Sequence, residues 1–190
     1  MRRPRKVAQM TFADQLTVTR AAATPIVVLL YAIHFTGHNW AATIVFSLAM
    51  ATDWFDGRIA RASGRTTSLG SLLDPVADKL LVMATLVILI DQDVFPAWMV
   101  ATIVGRELLI SGLRQAAMER GVVIAARDLG KLKTWSQALA AVGGGLAAAG
   151  VWRFDVAWWL LLVAVVMTVV SGLDYARVAP ALLRGKQPAA

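Results

Sequence analysis

The sequence predicts an all-α integral membrane protein, a bundle of six transmembrane helices that follows a short amphipathic N-terminal segment. The chain has 190 residues, of which 58% are hydrophobic, and its mean hydropathy is +0.63. The apolar residues fall in long blocks, and one bilayer span needs roughly 20 mostly apolar residues. The chain has room for about six such spans and little else. We therefore expect a single membrane domain over residues 1–190.

The predicted elements follow the apolar blocks in order. A cytoplasmic amphipathic segment is expected at residues 1–15 and a tail at 180–190. The six spans between them are expected at 16–36, 40–61, 69–91, 95–119, 128–150 and 155–178. Gly143, Gly144 and Gly145 lie within the fifth span, where small residues allow helices to approach closely.

The distribution of basic residues predicts the orientation in the membrane. The formal charge is +7, and in a membrane protein Lys and Arg collect in the cytoplasmic connections. Lys and Arg are concentrated in the N-terminus, in the segments 62–68 and 120–127 and in the C-terminal tail. In the alternate connections the one Lys or Arg is Arg153. Both termini and the active site are therefore expected to face the cytoplasm from the inner (cytoplasmic) membrane. The protein is expected to be surrounded by membrane lipid, and no nucleic-acid partner is expected.

A constellation of polar residues interrupts the apolar pattern where the second and third spans meet. It reads Asp53-x2-Asp56-Gly57-x2-Ala60-Arg61-x8-Gly70-x3-Asp74-x3-Asp78. The aspartates form two pairs, spaced three and four residues apart, so each pair shares one face of its helix. The segment between the pairs is polar and rich in turn-forming residues, which allows two antiparallel helices to bring the carboxylates together.

Four carboxylates at the edge of a membrane helix pair are costly unless cations hold them together. Hard oxygen ligands without His or Cys suit Mg²⁺ or Mn²⁺, and the chain contains no cysteine. Two divalent metal ions are therefore expected, which indicates metal-assisted phosphoryl transfer. A proton or ion pathway is the main alternative, because intramembrane acids also serve transport. The expected metal ligands are Asp53, Asp56, Asp74 and Asp78.

The constellation resembles that of the CDP-alcohol phosphotransferases, and all of its positions match the family's pattern. The resemblance implies that the four aspartates hold a pair of metals and that Asp78 is also the general base. It further implies a CDP site lined by Gly57, Ala60 and Arg61. In this family an acceptor alcohol attacks the β-phosphorus of the CDP-linked substrate and CMP leaves.

Further stretches resemble the phosphatidylglycerophosphate synthases within that family. The resemblance implies CDP-diacylglycerol and glycerol 3-phosphate as substrates and a homodimer as the assembly. The chain departs from the family's usual pattern at Asp14, where Asn is common. The stretches that carry the resemblance are 52–57, 73–79, 105–114 and 130–134.

The basic residues favour an acceptor that carries its own phosphate. Arg106 and Arg114 lie two helical turns apart in an apolar span, where an unpaired charge is costly. Glu107 is expected only to pair with a neighbouring base. Two alternatives remain: a cardiolipin synthase of the same family with phosphatidylglycerol as acceptor, and an ion-coupled transporter. The expected ligands of the acceptor phosphate are Arg20, Arg106, Arg114, Lys131, Lys133 and Arg177.

Overall fold

The computed structural model describes residues 12–63, 68–119 and 128–183, and within them the side chains of 19–52, 79–119 and 132–175. Every element in these ranges is an α-helix, which confirms the all-α prediction, and each helix overlaps one predicted span. Residues 12–15 of the predicted N-terminal segment belong to the first helix; the rest of that segment and residues 184–190 lie outside the described residues. The helices are α1 (Phe12–Ala32), α2 (His38–Ser63), α3 (Ser68–Asp91), α4 (Ala97–Glu119), α5 (Asp128–Ala148) and α6 (Phe154–Leu183).

The chain divides into two compact units, residues 1–85 and 86–190. In the first unit α1 packs along α2, and Tyr31 and Phe46 are completely buried. The Thr43 hydroxyl donates to the carbonyl of Asn39 at 2.6 Å, so the Tyr31 hydroxyl donates to Thr43 at 3.0 Å. Tyr31 therefore brings no unsatisfied polar group into the core of this unit.

In the second unit α6 packs against both α4 and α5. Two glycines of α5 permit its close packing against neighbouring segments: a Cβ at Gly144 would lie 2.5 Å from Cζ of Phe95 and 2.8 Å from Cδ1 of Leu89, which precede α4. A Cβ at Gly143 would lie 2.5 Å from Cδ1 of Leu160. The predicted role in helix packing is confirmed for Gly143 and Gly144.

The apolar surface of the helices bears on the membrane prediction. Among the described residues one helical segment, Phe154–Tyr175, is long and apolar enough to cross a bilayer, with a mean hydropathy of 2.3. Leu108 and Leu109, two large apolar side chains on α4, are 63% and 65% exposed. The apolar α6 supports a membrane protein, and the six-span arrangement stays a prediction.

Candidate active site

The aspartate constellation lies on α2 and α3. The backbone is helical through Asp53 and Asp56 on α2 and through Asp74 and Asp78 on α3, as the spacing argument requires. Their side chains lie outside the described side chains, and so do those of the predicted CDP-site residues Gly57, Ala60 and Arg61. The side chains that the structure does describe contain no group of three or more His, Asp or Glu that could hold a metal. The predicted metal and CDP ligands therefore stay predictions.

A cluster of buried polar side chains joins α4, α5 and α6. Its centre is Glu107, which is only 2% exposed. Oε1 of Glu107 accepts hydrogen bonds from the Lys133 ammonium of α5 and from Nη1 of Arg106 at 3.2 Å. One carboxylate oxygen thus binds two cations, both of which the sequence assigns to the acceptor phosphate.

A second set of contacts fixes the Glu107 carboxylate from α5 and α6. Nε2 of Gln137 donates to Thr168 at 2.9 Å and lies 3.4 Å from Oε1 of Glu107. Gln137 and Thr168 are both buried, where an unmade hydrogen bond would be costly. These contacts limit the positions that the carboxylate can adopt.

One face of α6 receives the Arg106 side chain. Nη2 of Arg106 donates to the Ser171 hydroxyl at 2.8 Å, and its guanidinium carbon lies 5.9 Å from the centre of the Tyr175 ring. A Cβ at Gly172 would lie 3.3 Å from Cγ and Nε of Arg106, so the glycine leaves room for the side chain. Nε is buried and has no hydrogen-bond partner within the described part of the chain. The described side chains therefore leave part of this guanidinium unsatisfied.

The remaining predicted acceptor ligands are placed less completely. Arg20 is buried on α1, with 7% exposure, and Arg114 is half-buried on α4. Lys131 and Arg177 lie on α5 and α6, and their side chains lie outside the described side chains. The structure thus brings together two of the six predicted cations, Arg106 and Lys133, through Glu107.

Comparison with known proteins identifies the family. The family model described as CDP-alcohol phosphatidyltransferase matches residues 10–170, which include both the aspartate constellation and the core of the buried cluster. The chain belongs to the CDP-alcohol phosphatidyltransferase family. The predicted resemblance is confirmed, and membership makes the chain an enzyme that transfers a phosphatidyl group.

Several relatives of the CDP-alcohol phosphatidyltransferase family carry one name, CDP-diacylglycerol–glycerol-3-phosphate 3-phosphatidyltransferase. The chain is 46% identical over 137 residues to such a protein from Bacillus subtilis (strain 168), covering 71% of each chain. It is 36% identical over 173 residues to one from Shigella flexneri serotype 5b (strain 8401), covering 88% of this chain and 93% of the relative. The corresponding protein of Escherichia coli (strain K12) is 35% identical over the same length.

Sequence reasoning missed the central position of Glu107 and the hydrogen-bonding residues around it. It gave Glu107 only a pairing role, which the ion pairs with Arg106 and Lys133 confirm. A stronger signal was present, because Glu107 lies four residues after Ile103 and three before Ile110, both buried. This spacing places the carboxylate on the buried face of α4. No comparable signal singles out Gln137, because one polar residue among alanines is consistent with many environments.

Proposed function

We propose that this chain transfers a phosphatidyl group from CDP-diacylglycerol to sn-glycerol 3-phosphate, giving phosphatidylglycerophosphate and CMP. The observation that carries the proposal is the shared name of relatives that are 35–46% identical, one of them aligned over 88% of this chain. The complete aspartate constellation supports it, because a chain that had lost this chemistry would have no reason to retain every position.

The donor set suits two divalent metal ions. The four aspartates Asp53, Asp56, Asp74 and Asp78 offer only hard carboxylate oxygens, the ligands that Mg²⁺ and Mn²⁺ prefer. When bound, such ions supply positive charge to the pyrophosphate oxygens and offset the charge that develops as CMP leaves. We assign all four aspartates to metal binding.

The protein's own groups carry out the remaining steps. The acceptor hydroxyl oxygen forms a bond to the phosphorus that bears diacylglycerol, and the bond from that phosphorus to CMP breaks. We assign Asp78 as the general base that takes the hydroxyl proton. We assign Gly57 and Ala60 to the space beside the CDP group, and Arg61 to its phosphate oxygens.

The acceptor differs from other alcohols in carrying a phosphate of its own. Planar guanidinium groups bind phosphate oxygens in pairs, and ammonium groups add point charges. The assigned ligands are the six predicted cations, of which Arg106 and Lys133 already lie together in the buried cluster. Phosphatidylglycerol, the acceptor in the cardiolipin synthase alternative, has a neutral glycerol headgroup on a phosphodiester and would need fewer cations around it.

The proposed setting is the inner membrane, with six spans, both termini in the cytoplasm and a homodimer as the assembly. The apolar α6 supports a membrane setting, because only 33% of the most apolar window of Phe154–Tyr175 is buried. The core helix of a soluble protein would be mostly covered. The basic N-terminus and the basic 62–68 and 120–127 segments support the orientation.

A panel of acceptors tests the proposal. Purified protein in detergent micelles receives CDP-diacylglycerol, Mg²⁺ or Mn²⁺ and one acceptor, and CMP release is measured. We expect rapid release with glycerol 3-phosphate and little with phosphatidylglycerol or inositol phosphate. If CMP is released with phosphatidylglycerol and with no other acceptor, the protein is a cardiolipin synthase and the proposal is wrong. Absence of CMP release with every acceptor, together with solute uptake in vesicles, would favour the transporter.

A further inference from the structure

The buried cluster contains more ionic groups than stability alone explains. Glu107 and Lys133 are 2% and 6% exposed, and the side chain of Arg106 is 11% exposed. Buried ion pairs contribute little net stability, because desolvation offsets their attraction, and apolar replacements are often equally stable. Ionisable groups inside membrane helices are expensive and mark functional sites. The cluster therefore calls for a role besides holding α4, α5 and α6 together.

The contacts of Glu107 indicate what that role is. Two cations, Lys133 and Arg106, converge on the same carboxylate oxygen. Two positive charges that contact the same oxygen lie close enough to repel each other. The carboxylate between Lys133 and Arg106 therefore keeps them adjacent. Without it, the flexible lysine would extend toward the membrane surface, where its ammonium can be hydrated.

The carboxylate itself is held in place. Gln137 links it to Thr168, so contacts from α5 and α6 define its position. Ser171, one turn after Thr168 on α6, binds the far side of the Arg106 guanidinium. The contacts with Gln137 and Thr168 thus position the carboxylate, and the carboxylate in turn positions the two cations that it binds.

We propose that Glu107 is the positioning residue of the acceptor-phosphate site, which holds Arg106 and Lys133 together so that both face a phosphate monoester. The inference rests on the proposed function, because the phosphate is that of glycerol 3-phosphate. Glu107 does not touch the substrate; it acts through the two cations.

The first test is Glu107→Gln, which keeps the shape of the side chain and removes its charge. Loss of one charge-assisted phosphate contact weakens binding about 10- to 150-fold. We therefore expect the KM for glycerol 3-phosphate to rise at least about 10-fold, while the KM for CDP-diacylglycerol stays within about 2-fold. Asp155→Asn is the matched control, because Asp155 is 70% exposed and pairs with exposed Arg153.

A second variant separates positioning from stability. The double variant Glu107→Gln with Gln137→Glu exchanges the two side chains and moves the carboxylate from α4 to α5. The amino-acid composition, the net charge and the capacity for a hydrogen bond between the two positions stay the same. We expect its melting temperature to match wild type and its KM for glycerol 3-phosphate to stay raised. A merely structural carboxylate would serve from either helix.

Three outcomes would overturn the inference. One is a wild-type KM for glycerol 3-phosphate in the exchange variant. Another is an equal rise in both KM values in Glu107→Gln. The third is a fall in both kcat and melting temperature in Glu107→Gln, with both KM values unchanged. If the wild-type enzyme does not use glycerol 3-phosphate at all, the proposed function fails first, and the wild-type arm of the experiment shows this directly.

Discussion

The polar region on α2 and α3 and the buried cluster on α4, α5 and α6 differ in charge. The region on α2 and α3 contributes four aspartates within 26 residues of sequence, Asp53 to Asp78. The region on α4, α5 and α6 gathers two cations around the single carboxylate of Glu107. The first suits cations that take part in chemistry, and the second suits an anion that is bound. Changes in the first region should lower kcat, and changes in the second should raise one KM.

The largest expected effect is loss of the metals from the aspartate region. Chelation with excess EDTA should abolish CMP release, and Mg²⁺ or Mn²⁺ should restore it. Asp53→Asn and Asp74→Asn should also be inactive, because each removes a ligand charge, while both proteins still insert into the membrane. Asp155→Asn, which changes an exposed aspartate, is the control. Full turnover in EDTA would contradict the two-metal assignment.

Replacement of the proposed base should have the next largest effect. Asp78→Asn keeps an oxygen but cannot take a proton at neutral pH, and general-base catalysis contributes about 10²–10⁴-fold. We expect kcat to fall by at least that factor while binding of CDP-diacylglycerol changes much less. The measurements are single-turnover kinetics and equilibrium binding. A variant within a few-fold of wild type would place the base on another residue.

A change at Arg114 tests the cationic region outside the contacts of Glu107. Arg114→Ala should raise the KM for glycerol 3-phosphate, because a lost charge-assisted contact costs roughly 1.5–3 kcal/mol, or about 10- to 150-fold. Lys131→Ala should do the same more weakly, and Arg153→Ala, at an 84% exposed side chain, is the control. Equal effects on both substrates would remove the distinction between the two regions.

The smallest effect on activity is expected where α5 serves only packing. A Cβ at Gly144 would lie 2.5 Å from the Phe95 ring, and overpacking costs about 1–3 kcal/mol. Gly144→Ala should therefore lower the melting temperature and leave both KM values unchanged. Gly112→Ala is the control, because nothing lies within 4 Å of the added Cβ there. A raised KM for one substrate in Gly144→Ala would mean that this half of α5 also contributes to the site.

The two regions also differ in how far the sequence predicts them. The aspartate constellation is local: its spacing on two adjacent helices is visible in the sequence, and the helical backbone at Asp53 and Asp78 agrees with it. The helix positions follow from the length of the apolar blocks. The predicted single domain over 1–190 stays a prediction.

The buried cluster could not be predicted in the same way. Glu107 and Lys133 lie 26 residues apart on different helices, and Gln137 and Thr168 lie 31 apart. Such contacts depend on how three helices rotate against one another, which apolar periodicity restricts only loosely. Arg106 and Lys133 attract attention because they are charges in apolar spans, whereas Ser171 and Thr168 resemble the small residues common in membrane helices.

A competition between acceptors tests the central claim most directly. Wild-type enzyme receives CDP-diacylglycerol with equal concentrations of glycerol 3-phosphate and phosphatidylglycerol, and the lipid products are identified by mass spectrometry. The account predicts phosphatidylglycerophosphate as the dominant product. Cardiolipin as the dominant product would contradict it and would leave Arg106 and Lys133 without the phosphate monoester that their convergence on Glu107 is proposed to serve.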